Sequence, residues 1–263
     1  MKQKPFYSII YEDDSITAVN KAAGISVSAE RWDESRERLD RLLGGHYAEQ
    51  AGGSGEERRI FTVHRIDKDT SGIVVFARNS KTHRFLSQAF EEGLVHKRYI
   101  AAVYGRPSWK EASCDLPLVP DGNKAHMTII DRYRGKKSLT HFRVLGSAGN
   151  YTVLEVIPET GRTHQIRVHA CSLGYPVVCD SLYGRSAKGI YLSAFKRNWR
   201  GDPLDEKPLL NRLGLHALKL SLPYKPLDAA GKSLDMTAPL PRDMAALIRQ
   251  MEKCTGQRIV NEE

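Results

Sequence analysis

The sequence predicts an α+β protein, with strands and helices interspersed along the chain. Runs of β-branched and aromatic residues, such as 61–63 and 73–76, have the composition of buried strands. Other segments, such as 242–253, carry apolar residues at helical spacing. A length of 263 residues suits one large domain or two small ones and allows a sizeable core.

The net charge favours a polyanionic partner. The chain has 40 basic and 31 acidic residues, a net charge of +9 and a pI of about 9.4. Lysine and arginine bind phosphates and release counterions. Composition does not separate nucleic acid from an anionic membrane, but no run approaches the ~18 apolar residues of a membrane helix. The start also lacks a secretory apolar stretch. We therefore expect a cytoplasmic protein that binds nucleic acid and no membrane.

The cysteines predict no metal site. Cys171 and Cys179 lie near His164 and His169 in the sequence, which raises the question of zinc. Their spacing fits no standard zinc finger, and the chain contains no Cys-x-x-Cys motif. Reduced thiols in a cytoplasmic protein are the better interpretation.

The first residues predict a hairpin and a third, short strand. Residues 9–11 and 16–19 are apolar and flank the polar residues 12–15. Lys21-Ala22-Ala23-Gly24 then leads to the short strand, at residues 25–27.

A helix is predicted over residues 34–43, where three leucines recur at helical spacing. Asp33 is placed to cap its start and Gly44 to end it. The Gly-rich, polar residues 44–59 predict a mobile segment.

Residues 61–76 place a polar turn between two apolar runs. The turn holds a histidine, an arginine, two aspartates, two hydroxyls and a glycine. A turn that only reversed the chain would need a few small residues. Charged groups at the rim of a core must be paired or in use, since unpaired buried charge is costly. Residue chemistry leaves two readings open: Asp67 and Asp69 stabilise their own turn, with Gly72 at positive φ, or the turn is catalytic.

Beyond this turn the chain predicts a helix, a strand and a basic run. Asn79 or Ser80 can cap the helix, and Gly93 can end it. Alternation over residues 95–105 places Tyr99 among apolar residues, so we expect it to be partly buried. The basic run is a solvated face or a phosphate contact, and it comprises Arg132, Arg134, Lys136 and Lys137.

Residues 151–157 predict a central strand, because they are apolar on both faces. Alternation would also allow a strand in the following residues, but Gly174 and Pro176 indicate the end of a helix. Ile166, Ala170 and Leu173 would share one face of that helix. An arginine near its start, where the helix dipole disfavours a cation, needs an anionic partner.

The last part of the chain predicts an insertion, a strand and a closing helix. Over residues 185–212, Tyr191, Phe195 and Trp199 are interleaved with lysines and arginines, a composition that suits RNA contact. A strand starts at Leu215, and residues 242–253 form an amphipathic helix.

Several motifs resemble those of the RluA-type RNA pseudouridine synthases, in family order from about residue 9 to about residue 250. The stretch from His64 to Ile73 resembles their active-site signature, and Lys97–Gly105 their second motif. Thr160–Arg167 resembles their Thr-Gly-Arg-Thr-His-Gln-Ile-Arg signature. The chain departs from the family pattern at Cys179, where relatives have glycine before Asp-x-x-Tyr-Gly, and at Ala22, where proline is common.

The resemblance implies a single catalytic domain over residues 1–263, with a mixed, largely antiparallel central sheet. Many relatives carry a small S4-type RNA-binding domain in front, and we expect none here because the chain begins directly at the predicted hairpin. It implies Asp67 as the catalytic residue, Tyr99 against the target base, and Arg167 as the partner of Asp67, with Arg162 as second choice. We expect RNA contacts from a larger set of residues: Arg65, His64, Thr70, Arg162, Lys196, Arg197 and Arg200. We further expect a monomer whose substrate is ribosomal or transfer RNA.

The chemistry implied by the resemblance fits these residues. Uridine becomes pseudouridine when its glycosidic bond is broken and the base rejoined through carbon, with no oxidation, so no cofactor is demanded. One ionised carboxylate can initiate the reaction, and an adjacent arginine favours its charged form. The target base must leave its stack, and Arg65 is placed to fill the gap. A non-catalytic RNA-binding protein and a metal-dependent nuclease using Asp67 and Asp69 are the alternatives.

Overall fold

A computed structural model describes residues 5–29, 37–50, 59–123, 127–184, 188–196, 198–223 and 233–260. Contacts between residues divide the chain into two compact units. Unit 1 comprises Met1–Lys97 and Ala217–Pro239, and unit 2 comprises Arg98–His216 and Leu240–Glu263. The single domain expected over 1–263 stays a prediction. Within the described ranges, no helix has the length and apolarity to cross a lipid bilayer.

The described residues confirm the α+β class. Their strands pair mostly antiparallel, as the family resemblance implied. In chain order the elements are β1 (Tyr7–Glu12), β2 (Ile16–Lys21), α1 (Leu39–Gln50), β3 (Phe61–Thr62), β4 (Ser71–Ala77), α2 (Ser80–Glu91), β5 (His96–Tyr104), β6 (Glu111–Cys114), β7 (Leu118–Val119), β8 (Ile129–Ile130), β9 (Thr140–Ala148), β10 (Tyr151–Pro158), α3 (Gln165–Ser172), a 3-10 turn (Leu192–Ala194), β11 (Leu215–Pro223), β12 (Ser233–Thr237) and α4 (Arg242–Thr255).

Unit 1 is built around β4, all seven residues of which are buried. β2 pairs antiparallel with β4 on one side and with β1 on the other, which confirms the predicted hairpin. The two-residue strand β3 also pairs with β4, so the polar turn connects two paired strands.

The predicted strand at residues 25–27 is wrong. Among the described residues, the only strand-like pairing of this segment is an isolated parallel bridge between Ser26 and Arg38. The carbonyls of Ser26 and Val27 accept the N–H groups of Leu39 at 2.9 Å and Asp40 at 3.0 Å. The first N–H groups of a helix have no partner within it. The segment therefore satisfies the start of α1 instead of extending a sheet.

The predicted bounds of the first helix are also wrong, because α1 starts at Leu39 and continues through Gly44 to Gln50. Each of the two glycines inside this helix, Gly44 and Gly45, costs about 1 kcal/mol relative to alanine. Burial of Tyr47, which is 0% exposed, offsets this cost. Its hydroxyl lies 2.7 Å from that of Thr17, and the Arg78 guanidinium lies 4.5 Å from its ring centroid.

The helical residues 44–50 also correct the first part of the predicted mobile segment, 44–59. Residues 51–58 and the predicted cap Asp33 lie outside the described residues. Helix α2 agrees with the sequence. The Asn79 side chain accepts the Thr82 N–H at 2.9 Å, and Gly93, with φ +74°, follows the helix end.

Unit 2 contains a sheet in which β10 lies between β5 and β9, both antiparallel to it, and β6 pairs with β9. The predicted central strand is therefore confirmed. Tyr99 on β5 faces Val156 of β10 in the register and packs, half-buried, against the core cluster of this unit. Its expected partial burial is confirmed.

Helices α3 and α4 have the faces that the sequence predicts. In α3, Ile166 and Ala170 join the core cluster and Leu173 packs against it, while Gly174 at φ +90° follows the helix. In α4, the buried side chains are the four apolar residues expected there, Met244, Leu247, Ile248 and Met251.

Candidate active site

The backbone beside Asp67 is fixed by a buried cation. Lys21 is 0% exposed, and its ammonium donates to the carbonyls of Ala22 at 2.9 Å, Ile25 at 2.8 Å and Lys68 at 2.9 Å. The Lys68 carbonyl also accepts the Gly24 N–H at 2.9 Å. Burying an ammonium is expensive unless it is well bound. Sequence reasoning placed Lys21 only in a turn and missed this contact. The available signal was the lysine itself, which directly precedes Ala-Ala-Gly.

The polar turn itself has the conformation that the sequence predicts at Gly72. Its φ is +118°, and a Cβ there would collide with the backbone of Ala217. Only glycine fits such a position. At the other end of the turn, the Asp67 carbonyl accepts the Thr70 N–H at 3.1 Å. The turn is thus held at both ends around a half-buried Asp67.

The neighbours of Asp67 differ in exposure. Arg65 and Asp69 are exposed, so both side chains are accessible to solvent. Thr70 is 1% exposed, and its Oγ1 has no hydrogen-bond partner among the described residues. The exposed Arg65 suits an RNA contact better than the buried Thr70 does, and both contacts stay predictions.

His64 is engaged with the protein interior. Its Nε2 accepts the Val75 N–H at 2.9 Å, and its ring stacks on Phe90 with centroids 4.6 Å apart. Burial, with a smaller contribution from the positive charge of Lys97, lowers the pKa of His64 to about 3. The neutral imidazole offers no cation to a phosphate, so an RNA contact by His64 would have to use its Nδ1 or its ring.

The lowered pKa of His64 predicts acid sensitivity. In the unfolded chain this histidine binds a proton below about pH 6.5, whereas in the folded protein it does so only near pH 3. Its contribution is complete above pH 6.5 and is lost as the pH falls. Urea unfolding between pH 6 and 4.5 should show wild type losing stability faster than His64→Gln, by up to about 1.4 kcal/mol per pH unit. The other titratable groups are the same in both proteins, so they contribute equally to both plots of stability against pH. Parallel plots for wild type and His64→Gln would contradict this assignment.

Arg167, the second charged group predicted for the site, forms a buried bidentate ion pair with Asp180. Its Nε lies 2.8 Å from Oδ2 and its Nη2 2.7 Å from Oδ1. The arginine is 5% exposed and the aspartate 1%. Burial alone would raise the pKa of Asp180, but hydrogen bonds and charge from Arg167 and two backbone N–H groups hold it below its usual value. The anionic partner expected for an arginine near this helix start is therefore present.

Asp180 is itself fixed by the chain that follows it. Its Oδ1 accepts the N–H groups of Leu182 at 2.9 Å and Tyr183 at 3.1 Å. The ring of Tyr183 lies 5.1 Å from the Arg167 guanidinium carbon. Sequence reasoning assigned no role to Asp180 or Tyr183, although both belong to the Asp-x-x-Tyr-Gly motif that it recognised.

The Tyr183 hydroxyl continues this network. It accepts the Thr128 N–H at 2.8 Å and lies 2.9 Å from His164 Nδ1. His164 has φ +53° at the start of α3, a conformation uncommon for a residue with a Cβ. Burial raises the pKa of Tyr183, which therefore stays a neutral hydroxyl. Arg167 is thus held by an ion pair with Asp180 and by the ring of Tyr183, and both of these side chains are hydrogen-bonded in turn.

The backbone conformation at Cys179 explains why a glycine is usual before this aspartate. Its φ is +56°, in the left-handed region that costs a residue with a Cβ about 1–2 kcal/mol. Its thiol is buried and lies 3.3 Å from the Lys188 carbonyl. Burial, opposed by the charge of Arg212, raises the pKa of Cys179 to about 11. The departure from the family motif thus leaves the turn in place and adds an unreactive thiol.

The remaining predicted RNA contacts lie in unit 2. Arg162 is exposed, and its Nε donates to the Lys137 carbonyl at 3.1 Å. Lys196 and Arg200 are exposed in the predicted insertion. That segment is anchored internally, since the Glu206 carboxylate accepts the Ser193 N–H at 2.8 Å and its hydroxyl at 2.7 Å. Arg197 lies outside the described residues.

Comparison with known proteins agrees with these motifs. The sequence model of the RNA pseudouridylate synthase family matches residues 15–172. The chain is 35% identical over 244 residues to ribosomal large subunit pseudouridine synthase D of Zymomonas mobilis, covering 92% of this chain and 72% of that protein. It is 34% identical over 227 residues to the dual-specificity RNA pseudouridine synthase RluA of Vibrio vulnificus, covering 84% and 79%.

A solved structure shares the fold. Human RNA pseudouridylate synthase domain containing 4 aligns with a TM-score of 0.69 at 23% identity, covering 93% of this chain and 92% of that one. The family motifs, the matched residues and the shared fold lead to one conclusion. The chain belongs to the RluA-type RNA pseudouridine synthases.

Proposed function

We propose that this enzyme converts a specific uridine of a structured RNA to pseudouridine, with Asp67 as the catalytic carboxylate. The observation that carries the assignment is the buried ammonium of Lys21, bound to the carbonyl of the residue after Asp67. Burying an ammonium is costly unless it is well bound, and here its bonds to three carbonyls hold the backbone of the turn in place. The half-buried Asp67 is thereby presented from a fixed backbone, as a catalytic group requires.

Each proposed role follows from the chemistry of the side chain. Asp67 initiates cleavage of the glycosidic bond, as nucleophile or as base. Arg167 keeps this carboxylate ionised, since a nearby cation favours the charged form. Tyr99, whose ring is half-buried, packs against the uracil and offers a hydroxyl for proton handling. No electron is transferred in the reaction, so these groups need no redox partner.

The RNA is ribosomal or transfer RNA in this proposal. The names of the two bacterial relatives support it: one acts on the ribosomal large subunit, and the other is described as having dual specificity. The net charge of +9 and the exposed Arg162, Lys196 and Arg200 supply phosphate contacts. We propose that the enzyme acts as a monomer in the cytoplasm, where these RNAs are found.

Pseudouridine mapping tests the function. Total RNA from cells lacking the gene is incubated with the purified enzyme, and pseudouridines are located by carbodiimide modification and primer extension. We expect new sites in ribosomal or transfer RNA with wild type and none with Asp67→Asn. Failure of active, folded enzyme to modify either RNA class would overturn the proposed substrate.

In this proposal, Arg65 enters the space that the flipped uridine leaves in the RNA. It is exposed and stands two residues before Asp67. A planar cation can stack or hydrogen-bond inside the RNA once the uridine has left. This matters most where extrusion is costly, on the order of a few kcal/mol for a stacked base.

Arg65→Ala should therefore lower the single-turnover rate far more on a folded stem-loop than on an unstructured oligonucleotide containing the same uridine. Arg84→Ala, which removes another exposed arginine from unit 1, should leave this rate ratio unchanged. Equal losses on both RNAs with Arg65→Ala would leave Arg65 as an ordinary charge contact.

A further inference from the structure

A fully exposed tyrosine stands between two arginines in unit 2. The ring of Tyr133 is 99% exposed, the highest value among the exposed large hydrophobic side chains of the described residues. Arg132 and Arg134 on either side are also exposed. A single exposed apolar residue needs no explanation. The rigid turn that holds Tyr133 in solvent does need an explanation.

The turn that carries Tyr133, residues 131–135, is locked by its own first residue. The Asp131 carboxylate accepts the N–H groups of Tyr133 at 2.9 Å and Arg134 at 3.0 Å, and the Arg134 Nε at 2.8 Å. These hydrogen bonds, with the Arg134 N–H contributing most, hold the pKa of Asp131 below its usual value. At the end of the turn, a Cβ on Gly135 would collide with the Asp131 carbonyl. The aromatic ring is therefore presented from a rigid backbone.

The base of the turn is anchored to strand β7. The Asp131 N–H donates to the Pro117 carbonyl at 3.1 Å. Lys136 and Leu118 exchange two backbone hydrogen bonds, at 2.9 and 3.0 Å. Both ends of the turn are thus held by the same short stretch of chain, which leaves the tip in solvent.

The same turn is connected to the network around Arg167. Strand β8 leads directly from Thr128 to Asp131, and the Thr128 N–H is bound by the Tyr183 hydroxyl at 2.8 Å. Tyr183 in turn lies against the Arg167 guanidinium. The exposed ring therefore projects from a segment whose other end is bound to Tyr183, the side chain that lies against Arg167.

We propose that the turn 131–135 binds the substrate RNA outside the target uridine, with Tyr133 stacked on an unpaired base and Arg132 and Arg134 on adjacent phosphates. The identification of RNA as the ligand rests on the proposed function. Residues 131–137 carry four cations and one carboxylate, a charge of 4 − 1 = +3. An aromatic ring among cations suits single-stranded RNA, because every base has a face to stack on and a phosphate beside it.

Binding to short RNA probes tests the stacking. The probes are a single-stranded oligouridylate, the same oligomer with abasic riboses, and an RNA duplex of equal length. Tyr133→Ala should weaken oligouridylate binding by about 5- to 150-fold, as expected for one stacked base. Tyr133→Phe should bind within twofold of wild type. The matched control is Leu94→Ala, which truncates another exposed apolar side chain (52% exposed) outside the predicted RNA contacts and should change nothing.

Salt dependence separates the ring from the cations. Tyr133→Ala should leave the slope of log affinity against log salt unchanged, whereas Arg132→Gln should flatten it by about 0.7. On the abasic oligomer and the duplex, Tyr133→Ala should have no effect, because neither offers an accessible base face. Since the ring is 99% exposed, thermal unfolding of Tyr133→Ala should match wild type.

Three results in the direct binding measurements would each overturn the inference. The first is that wild type binds oligouridylate no more tightly than its abasic form. The second is that Tyr133→Ala binds oligouridylate within twofold of wild type. The third is that Tyr133→Ala loses as much affinity for the abasic oligomer as for oligouridylate. Competition by polyglutamate at the same strength as oligouridylate would point to a charge-only or protein surface, and would also refute stacking. If base stacking holds while no RNA gains pseudouridine, the proposed function fails alone. If pseudouridine forms but Tyr133→Ala binds normally, the stacking fails alone.

Discussion

Replacing Asp67 by asparagine should reduce pseudouridine formation to the background of the assay while RNA affinity changes by no more than a few-fold. The amide has nearly the size of the carboxylate, so the turn between β3 and β4 should keep its shape. It cannot serve as the nucleophile or base, because its oxygen carries no full negative charge. Single-turnover rates on the modified RNA and filter binding of the same RNA measure the two quantities separately.

The second aspartate of the turn is the matched control. Asp69 is exposed and lies two residues after Asp67, so Asp69→Asn makes the same chemical change on the same backbone. It should retain most of the activity. A metal-dependent nuclease using both carboxylates would lose activity with either change, and it would shorten the RNA rather than isomerise it. Substantial turnover by Asp67→Asn would remove the basis of the mechanism.

Local patterns predicted those elements whose own residues decide their structure. Helix α2 begins at a capping asparagine, and α4 buries the four apolar residues that its spacing selects. Strand β10 was identified as central because it is apolar on both faces, and it pairs on both sides. In each case the signal is contained in consecutive residues.

Where distant contacts decide, the sequence was insufficient. Helix α1 continues through Gly44 because Tyr47 is buried against Thr17 and Arg78, a contact that joins three separate segments. Residues 25–27 bind the start of that helix, so alternation misread them. Single-sequence patterns report local preference, which tertiary packing overrides.

The candidate site shows the same division. The family motifs predicted a set of site residues, and the helix predicted from Ile166, Ala170 and Leu173 correctly placed Arg167 near the start of α3. They did not reveal that Asp180 binds this arginine or that Lys21 holds the backbone beside Asp67. Arg167 and Asp180 are 13 positions apart, and Lys21 and Lys68 are 47 positions apart. No rule of sequence spacing covers such pairs.

Breaking the Arg167–Asp180 pair should have two effects that can be separated. Arg167→Met leaves the Asp180 carboxylate buried without its counter-ion, which typically costs about 3–5 kcal/mol of stability. Adding Asp180→Asn removes the stranded charge and keeps an oxygen that can accept the N–H groups of Leu182 and Tyr183. The double variant should therefore recover most of the stability, as measured by urea unfolding.

Activity should not return with stability. The proposed role of Arg167 is to keep Asp67 ionised, and methionine supplies no charge. Pseudouridine formation by the folded double variant should thus stay near background in single-turnover assays. The pair Arg212–Asp243 provides the control, since it is also bidentate, at 2.7 and 2.8 Å, and lies in the same unit. Arg212→Met with Asp243→Asn should recover both stability and activity. If Arg167→Met with Asp180→Asn turned over like this control, Arg167 would be a structural residue, and Arg162 would become the candidate partner of Asp67.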